Sequence, residues 1–249
     1  MKITSEWEAG GVRGKFYGVG VGPGDPELIT FKAVRVLKES DVICAPVSGA
    51  PGEKIALSVV AHLIEGKEVA ELSFPMTKDI CVLEQSWQRA AGRIVDMLRS
   101  GRVVAFVTLG DPALYSTYSY VVKKIAGAGP WDVETVPGVP SFCACAAAAG
   151  VPLAEGDEKL AVVPAPVGAA ELSGLLRDFE NLVLLKVNRT YREIAGVLEK
   201  HGLLEKSFLA SRLGLKGEFV CRLDEFFLDS AGQPPDYLSL IVVKNKLIS

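Results

Sequence analysis

The stretch Val103–Pro112 reads VVAFVTLGDP. Its apolar run, Val103 to Leu109, lacks the alternation of a strand with one wet face. It marks a strand covered on both sides, as in a parallel sheet. The run stops at Gly110-Asp111-Pro112, a turn placed at the strand's carboxyl end. In an open α/β sheet that edge is where ligands bind.

Working outward, strand and helix signals alternate. Phe16 to Val21 reads as an apolar strand ending in glycines. Asp25 caps a helix with Pro26 at its first position and Glu27 in its first turn, turning Leu28, Ile29, Ala33, Val36 and Leu37 inward. Asp41 to Ala45 is a strand stopped by Pro46, and Glu53 to Ile64 a helix ended by Gly66. After a break at Phe74-Pro75-Met76, Leu83 to Arg99 places Trp87, Ala91, Ile94, Val95 and Leu98 on one helical face. A helix at Ser116 to Ile125, a strand at Val133 to Val136 and an Ala-rich helix from Ser141 follow.

The polar segment Val151 to Lys159 reads as a linker, giving domains of 1–152 and 153–249. The second predicts strand Leu160–Val163, helix Ala169–Asp178, strand Leu182–Val187, helix Tyr191–His201, and strands Phe208–Ser211, Phe219–Leu223 and Tyr237–Val243. Turns at Gly217 and at Asp229 to Pro235 predict partly antiparallel pairing, hence a mixed sheet. The expected class is α/β, with two domains and no repeat of fixed period.

The 249 residues are 49% hydrophobic and 23% charged, the balance of a globular protein. A net charge of −3 offers no basic face for nucleic acid. No apolar run reaches the ~18 residues of a membrane span. The start, Met1 to Gly14, has no apolar signal core, so a cytoplasmic location is expected. Five scattered cysteines predict reduced thiols. Cys143 and Cys145 stand two apart on a helix and so face different ways, which makes them buried structural thiols rather than shared ligands. His62 and His201 have no partner at ligand spacing, so no protein-bound metal is expected.

Three loops carry the chemistry. Gly18, Gly20, Gly22 and Gly24 would let main chain approach a ligand, but the dinucleotide pattern fails in register, its last glycine falling on Pro23 or Asp25. Asp111 can accept hydrogen bonds from a ligand or cap its own turn. Val136-Pro-Gly-Val-Pro-Ser141 is stiff, with Ser141 either a helix cap or a ligand contact. Three such loops at three strand ends should converge on one cleft.

Tyr17–Thr30 (YGVGVGPGDPELIT), Leu109–Thr117 (LGDPALYST) and Val136–Ser141 (VPGVPS) resemble, in order, the three signatures of the tetrapyrrole methylases. Phe74-Pro-Met-Thr77, Tyr115-Ser-Thr117 and Tyr237–Val243 resemble most the branch that methylates C20 of precorrin-2 or its cobalt-loaded counterpart, cobalt-factor II, in cobalamin synthesis. The resemblance implies two α/β domains with the active-site cleft between them, a homodimer, and S-adenosylmethionine as donor, leaving S-adenosylhomocysteine. It places Pro23 at the first cofactor loop, Leu109, Gly110, Asp111 and Leu114 at the second, and Ser141 at the third. Pro140 stands where relatives carry a hydroxyl. Lys186 replaces a common Met, so only its backbone can serve, and Gly214 is cofactor-proximal. Asp111, Tyr115 and Tyr118 are the positional candidates for taking the proton lost from the methylated carbon, with solvent as the alternative. Lys15, Lys78, Arg189 and Arg212 near the motif ends could meet the substrate's carboxylates, and each also reads as a solvated charge. The rival readings are a sister methylase with another ring position or acceptor, a dinucleotide-dependent oxidoreductase and a non-catalytic tetrapyrrole carrier.

Overall fold

The computed structural model describes residues 14–47, 54–229 and 234–245. Contacts divide the chain into a unit ending at Pro140 and one beginning at Ser141. The first unit comprises β1 (Lys15–Gly20), α1 (Phe31–Glu39), β2 (Val42–Val47), α2 (Ile55–Val60), β3 (Glu68–Ser73), α3 (Ile80–Arg99), β4 (Val103–Thr108), α4 (Tyr118–Gly127) and β5 (Asp132–Val136). Its five strands are all parallel, in the order β3-β2-β4-β1-β5. Val104 and Phe106 enter a core with α3 and α4, while α1 and α2 cover the other face of β4. Burial on both faces is why Val103–Thr108 shows no alternation. Every strand's carboxyl end therefore lies on one edge.

Three local departures have physical causes. The Asp25 side chain does accept from Glu27 N at 2.8 Å, but it caps only a 3-10 turn at Pro26–Leu28. The helix starts afresh when Thr30 Oγ1 accepts from Ala33 N at 3.2 Å, so Leu28 stays on the surface while Ala33, Val36 and Leu37 are buried. Pro46 does not stop β2. Val47 O accepts from Phe74 N on the β3 side, which turns Pro46 toward β4, where pairing has already ended at Cys44. The strand β3 escapes a reading by apolar runs because only Ala70 and Leu72 of it are buried, as suits a charged edge strand. Glu53, the expected start of α2's helix, lies outside the described residues.

The second unit comprises α5 (Ser141–Ala149), β6 (Leu160–Pro164), α6 (Ala169–Asp178), β7 (Asn181–Leu185), α7 (Tyr191–Lys200), β8 (Ser207–Ser211), β9 (Phe219–Arg222), α8 (Leu223–Asp229) and β10 (Ser239–Lys244). Its sheet runs β6-β7-β10-β8-β9, with β6 parallel to β7 and β10 antiparallel to both neighbours. This is a mixed sheet. The helices α6, α7 and α8 cover one face. The other receives α5, whose Cys145 packs with Val183, Ala210, Leu240 and Val242. That packing puts α5 in the second unit, so the division falls ahead of the polar segment at which the sequence predicts it. The segment itself is anchored: Glu158 Oε2 accepts from Asn181 Nδ2 at 2.9 Å and pairs with the buried Lys244 at 3.3 Å. The last expected turn is preceded by α8, where Phe226 stacks on Phe219 at 5.7 Å, and residues 230–233 of that turn lie outside the described set.

Cys145 is buried and its thiol is pushed up to about 12 by burial, but Cys143 is exposed, correcting the expectation for that residue. Two residues apart on α5, only one can face the sheet.

Glu134 of β5 joins Lys32 Nζ at 2.6 Å and Lys15 Nζ at 3.0 Å, and the two ammonium groups hold its carboxyl down to about 2. Its folded value lies below the unfolded one. The stabilisation is therefore full above the unfolded value of ~4.3 and is lost as pH falls toward 2. Glu134 is a third exposed, so solvent screening limits its worth to about 0.5–1 kcal/mol. Glu134→Gln should lower stability by that amount at pH 7 in urea melts, and the two proteins should converge near pH 2. A difference persisting at pH 2 would assign the effect to packing.

Candidate active site

Loops 21–25, 109–117 and 137–140 leave the carboxyl edge of the first sheet side by side, because β4, β1 and β5 are neighbours. The first two are zipped by main chain: Gly110 N donates to Gly22 O at 2.7 Å, and Gly22 N to Gly110 O at 3.4 Å. Asp111 ties the second to the third. Its Oδ1 accepts from Ala113 N at 2.8 Å and its Oδ2 from Gly138 N at 3.0 Å.

Where the loops meet, backbone touches backbone. A Cβ on Gly138 would stand 2.2 Å from Gly110 O and 2.9 Å from Gly20 Cα, and one on Gly20 would stand 2.6 Å from Gly138 N. No side chain fits there. One on Gly18 would enter the Tyr118 ring at 2.2 Å. Packing beneath the loop thus claims two of the run's glycines, which is why the run is rich in glycine yet out of dinucleotide register. Gly110 is different. It holds φ +73°, and a Cβ there would meet nothing within 4 Å. Its outer side faces open space.

Beneath this cradle the floor is closed. The Tyr118 hydroxyl bonds Thr135 Oγ1 at 2.7 Å, and Ser116 Oγ bonds Thr108 Oγ1 at 2.9 Å. Tyr118 is buried, which pushes its phenol up, and its hydroxyl is engaged with Thr135. In contrast Tyr115 is 51% exposed, with φ +48°.

The structure therefore brings Pro23, Leu109, Gly110, Asp111 and Leu114 together on one edge. Ser141 opens α5 in the second unit. Lys186 and Gly214 follow β7 and β8, two strands that end at one edge of the second sheet. There Lys186 N donates to Ser239 O at 3.0 Å and Arg212 N to Leu238 O at 2.9 Å. The amide of Gly214 is held by Glu218 Oε2 at 3.1 Å. Among the basic candidates, Lys15 starts β1, at the end away from the loops, and pairs with Glu134; Arg212 pairs with Asp236 at 3.0 Å. Lys78 and Arg189 are exposed. The sequence reading missed Gly138 and Gly20 as contact points; a lone glycine between two prolines was the available signal.

The cradle fits S-adenosylmethionine in kind. Gly110 offers bare main chain beside open space, and the Asp111 carboxylate is occupied by amides. A dinucleotide would want free amides at a helix start directly after the glycines. Here a 3-10 turn intervenes, with Asp25 on Glu27 N and Thr30 on Ala33 N.

Two glycine substitutions should separate packing from conformation. Gly138→Ala forces backbone apart and should destabilise the first unit by about 1–3 kcal/mol or more. Gly110→Ala has room, so only the left-handed backbone penalty of about 1 kcal/mol applies. Urea unfolding of the two variants measures this; equal losses would contradict the contact geometry.

Residues 15–226 match the family described as Tetrapyrrole (Corrin/Porphyrin) Methylases. A Salmonella typhimurium protein named cobalt-precorrin-2 C(20)-methyltransferase is 38% identical over 237 residues, covering 94% of this chain and 98% of that protein. A Methanocaldococcus jannaschii protein named probable cobalt-precorrin-2 C(20)-methyltransferase is 36% identical over 234 residues, covering 92% and 96%. A solved uroporphyrin-III C-methyl transferase from Thermus thermophilus, complexed with S-adenyl homocysteine, aligns with TM-score 0.63 at 26% identity, covering 92% of this chain and 96% of that one. A match that runs from β1 into α8, through all three loops, makes this chain a member of the tetrapyrrole (corrin/porphyrin) methylases.

Proposed function

We propose that the protein transfers a methyl group from S-adenosylmethionine to C20 of precorrin-2 in its cobalt-loaded form, a step of cobalamin biosynthesis. The observation that carries this reading is the open main-chain cradle at Gly110 between the three joined loops. The names of the two relatives above support the ring position and the cobalt.

Bound in the cradle, the cofactor supplies an electrophilic methyl group on a sulfonium. The chain's own part is to bind, orient and exclude water. Pro23, Leu109 and Leu114 wall off the cofactor, and Gly110 lets main chain approach it. Asp111 acts as a positioning residue: both its oxygens hold loop amides, so it fixes loops 109–117 and 137–140 in register. Of the proton-acceptor candidates this leaves Tyr115, in the same loop and half exposed. The substrate's meso carbon is an electron-rich nucleophile, so no strong base is required. The same reading makes the protein a cytoplasmic homodimer; five cysteines, none of them in a disulfide, accord with a reducing compartment.

Anaerobic turnover of cobalt-factor II with a methyl-labelled donor should give a product carrying one labelled methyl at C20, located by mass spectrometry and NMR. S-adenosylhomocysteine should raise the melting temperature by mass action, and Gly110→Val should abolish that shift while the protein stays folded. A methyl at another ring position would move the protein to a sister activity, and a shift with NAD but not S-adenosylhomocysteine would overturn the reading.

A further inference from the structure

Two buried hydroxyls meet at the end of β4. Thr108 is the strand's last residue and Ser116 lies eight residues on; both are buried, and their Oγ atoms are hydrogen-bonded at 2.9 Å. The bond joins the two ends of the loop that carries Leu109, Gly110, Asp111 and Leu114. Ser116 Oγ also accepts from Tyr118 N at 3.2 Å, and Ser116 O accepts from Ser119 N at 3.3 Å and from Ser119 Oγ at 2.9 Å. Ser116 is therefore tied forward to α4 and back to β4. Tyr115, immediately before it, holds φ +48°, a left-handed backbone that a non-glycine residue adopts only at a cost. The bonds of Ser116 fix the chain on the far side of that turn.

Stability alone does not call for a hydroxyl pair here. A buried hydroxyl costs free energy unless it is hydrogen-bonded, and two apolar side chains of the same shape can fill such a space equally well. What the hydrogen bond adds is a set distance and direction. Gly110 and Asp111 already tie the first half of the loop to its neighbours, through Gly22 and through Gly138 N. The Thr108–Ser116 bond does the corresponding work for the second half, residues 112–115, by closing it onto the strand it left.

We propose that Thr108 and Ser116 are positioning residues for the cofactor: their hydrogen bond closes loop 109–117 and holds it in the shape that receives S-adenosylmethionine. This rests on the methylase reading above, which gives the loop to the cofactor, and adds the device that keeps the loop ready. Without the bond the loop spends part of its time open, and apparent affinity falls by the fraction of time it is closed.

Calorimetry with S-adenosylhomocysteine and thermal melts, on wild type and variants, test this. Thr108→Val keeps the side chain's shape, loses its hydroxyl and should weaken S-adenosylhomocysteine about fivefold, as should Ser116→Ala. The double variant should bind no more weakly than the weaker single one, because both changes remove one bond. Thr108→Ser loses a buried methyl group and keeps the hydroxyl, so it should melt below wild type and bind within about twofold of it. Ser40→Ala is the control: Ser40 is buried at the end of α1, where its Oγ donates to Val36 O at 2.7 Å, and its loss should lower the melting temperature and leave affinity alone. Affinity should thus follow the hydroxyl pair while melting temperature follows packing. Should Thr108→Val not fold, Ser116→Ala against Thr108→Ser makes the same comparison. Folded variants without the pair that bind as tightly as wild type would overturn this inference alone. Affinity that falls in step with melting temperature in every variant, Thr108→Ser and Ser40→Ala included, would assign the pair to the fold and also overturn it. Wild type that binds no S-adenosylhomocysteine would sink the methylase reading itself.

Discussion

Where Gly20, Gly138 and the Gly110 carbonyl meet, three strand-end loops press main chain against main chain with no room for a methyl group on Gly20 or Gly138. Most of the first unit's organisation follows from that contact. It requires β1 to lie between β4 and β5, so that their loops emerge as neighbours. It requires a hydrogen-bonded crossing of the first two loops, supplied at Gly22 and Gly110. And it requires a link to the third, supplied by the Asp111 carboxylate at Gly138 N. Loops joined in this way are part of the scaffold, and a site built on them starts from a fixed geometry.

A site made largely of main chain and apolar side chains has a particular competence. It can hold an electrophile and keep water away, and it offers little acid or base of its own. That matches a reaction whose driving chemistry resides in a sulfonium donor and an electron-rich acceptor. The ionic pairs described lie elsewhere: Glu134 with Lys15 and Lys32 on the first sheet, Glu158 with the buried Lys244 in the second unit. Charge here serves the fold, and the cradle is left to contacts and exclusion of water.

How much of this was legible depends on what each residue answers to. The strand β4 was legible because burial on both faces leaves an unbroken apolar run, and α6 because its apolar period ends cleanly on both sides. The Asp25 cap was legible as a cap, but how far the helix ran was not, since the competing Thr30 cap becomes decisive only once Ala33, Val36 and Leu37 are packed. Edge strand β3 exposes most of its residues, and a pattern of apolar positions cannot register it. The unit boundary was hidden because α5 is apolar on nearly every side, so its partner is chosen by tertiary packing at Cys145. At the site, the glycines and Asp111 were visible as a group; that Asp111 spends both oxygens on amides depends on where Gly138 lies, which is a fact of sheet order and not of local sequence.

The most direct test of the account is a crystal structure with S-adenosylhomocysteine. The account predicts the ligand against the outer side of Gly110, walled by Pro23, Leu109 and Leu114, with the Asp111–Gly138 hydrogen bond intact. A ligand bound away from these loops, or an Asp111 carboxylate released from Gly138 to hold the ligand itself, would contradict it.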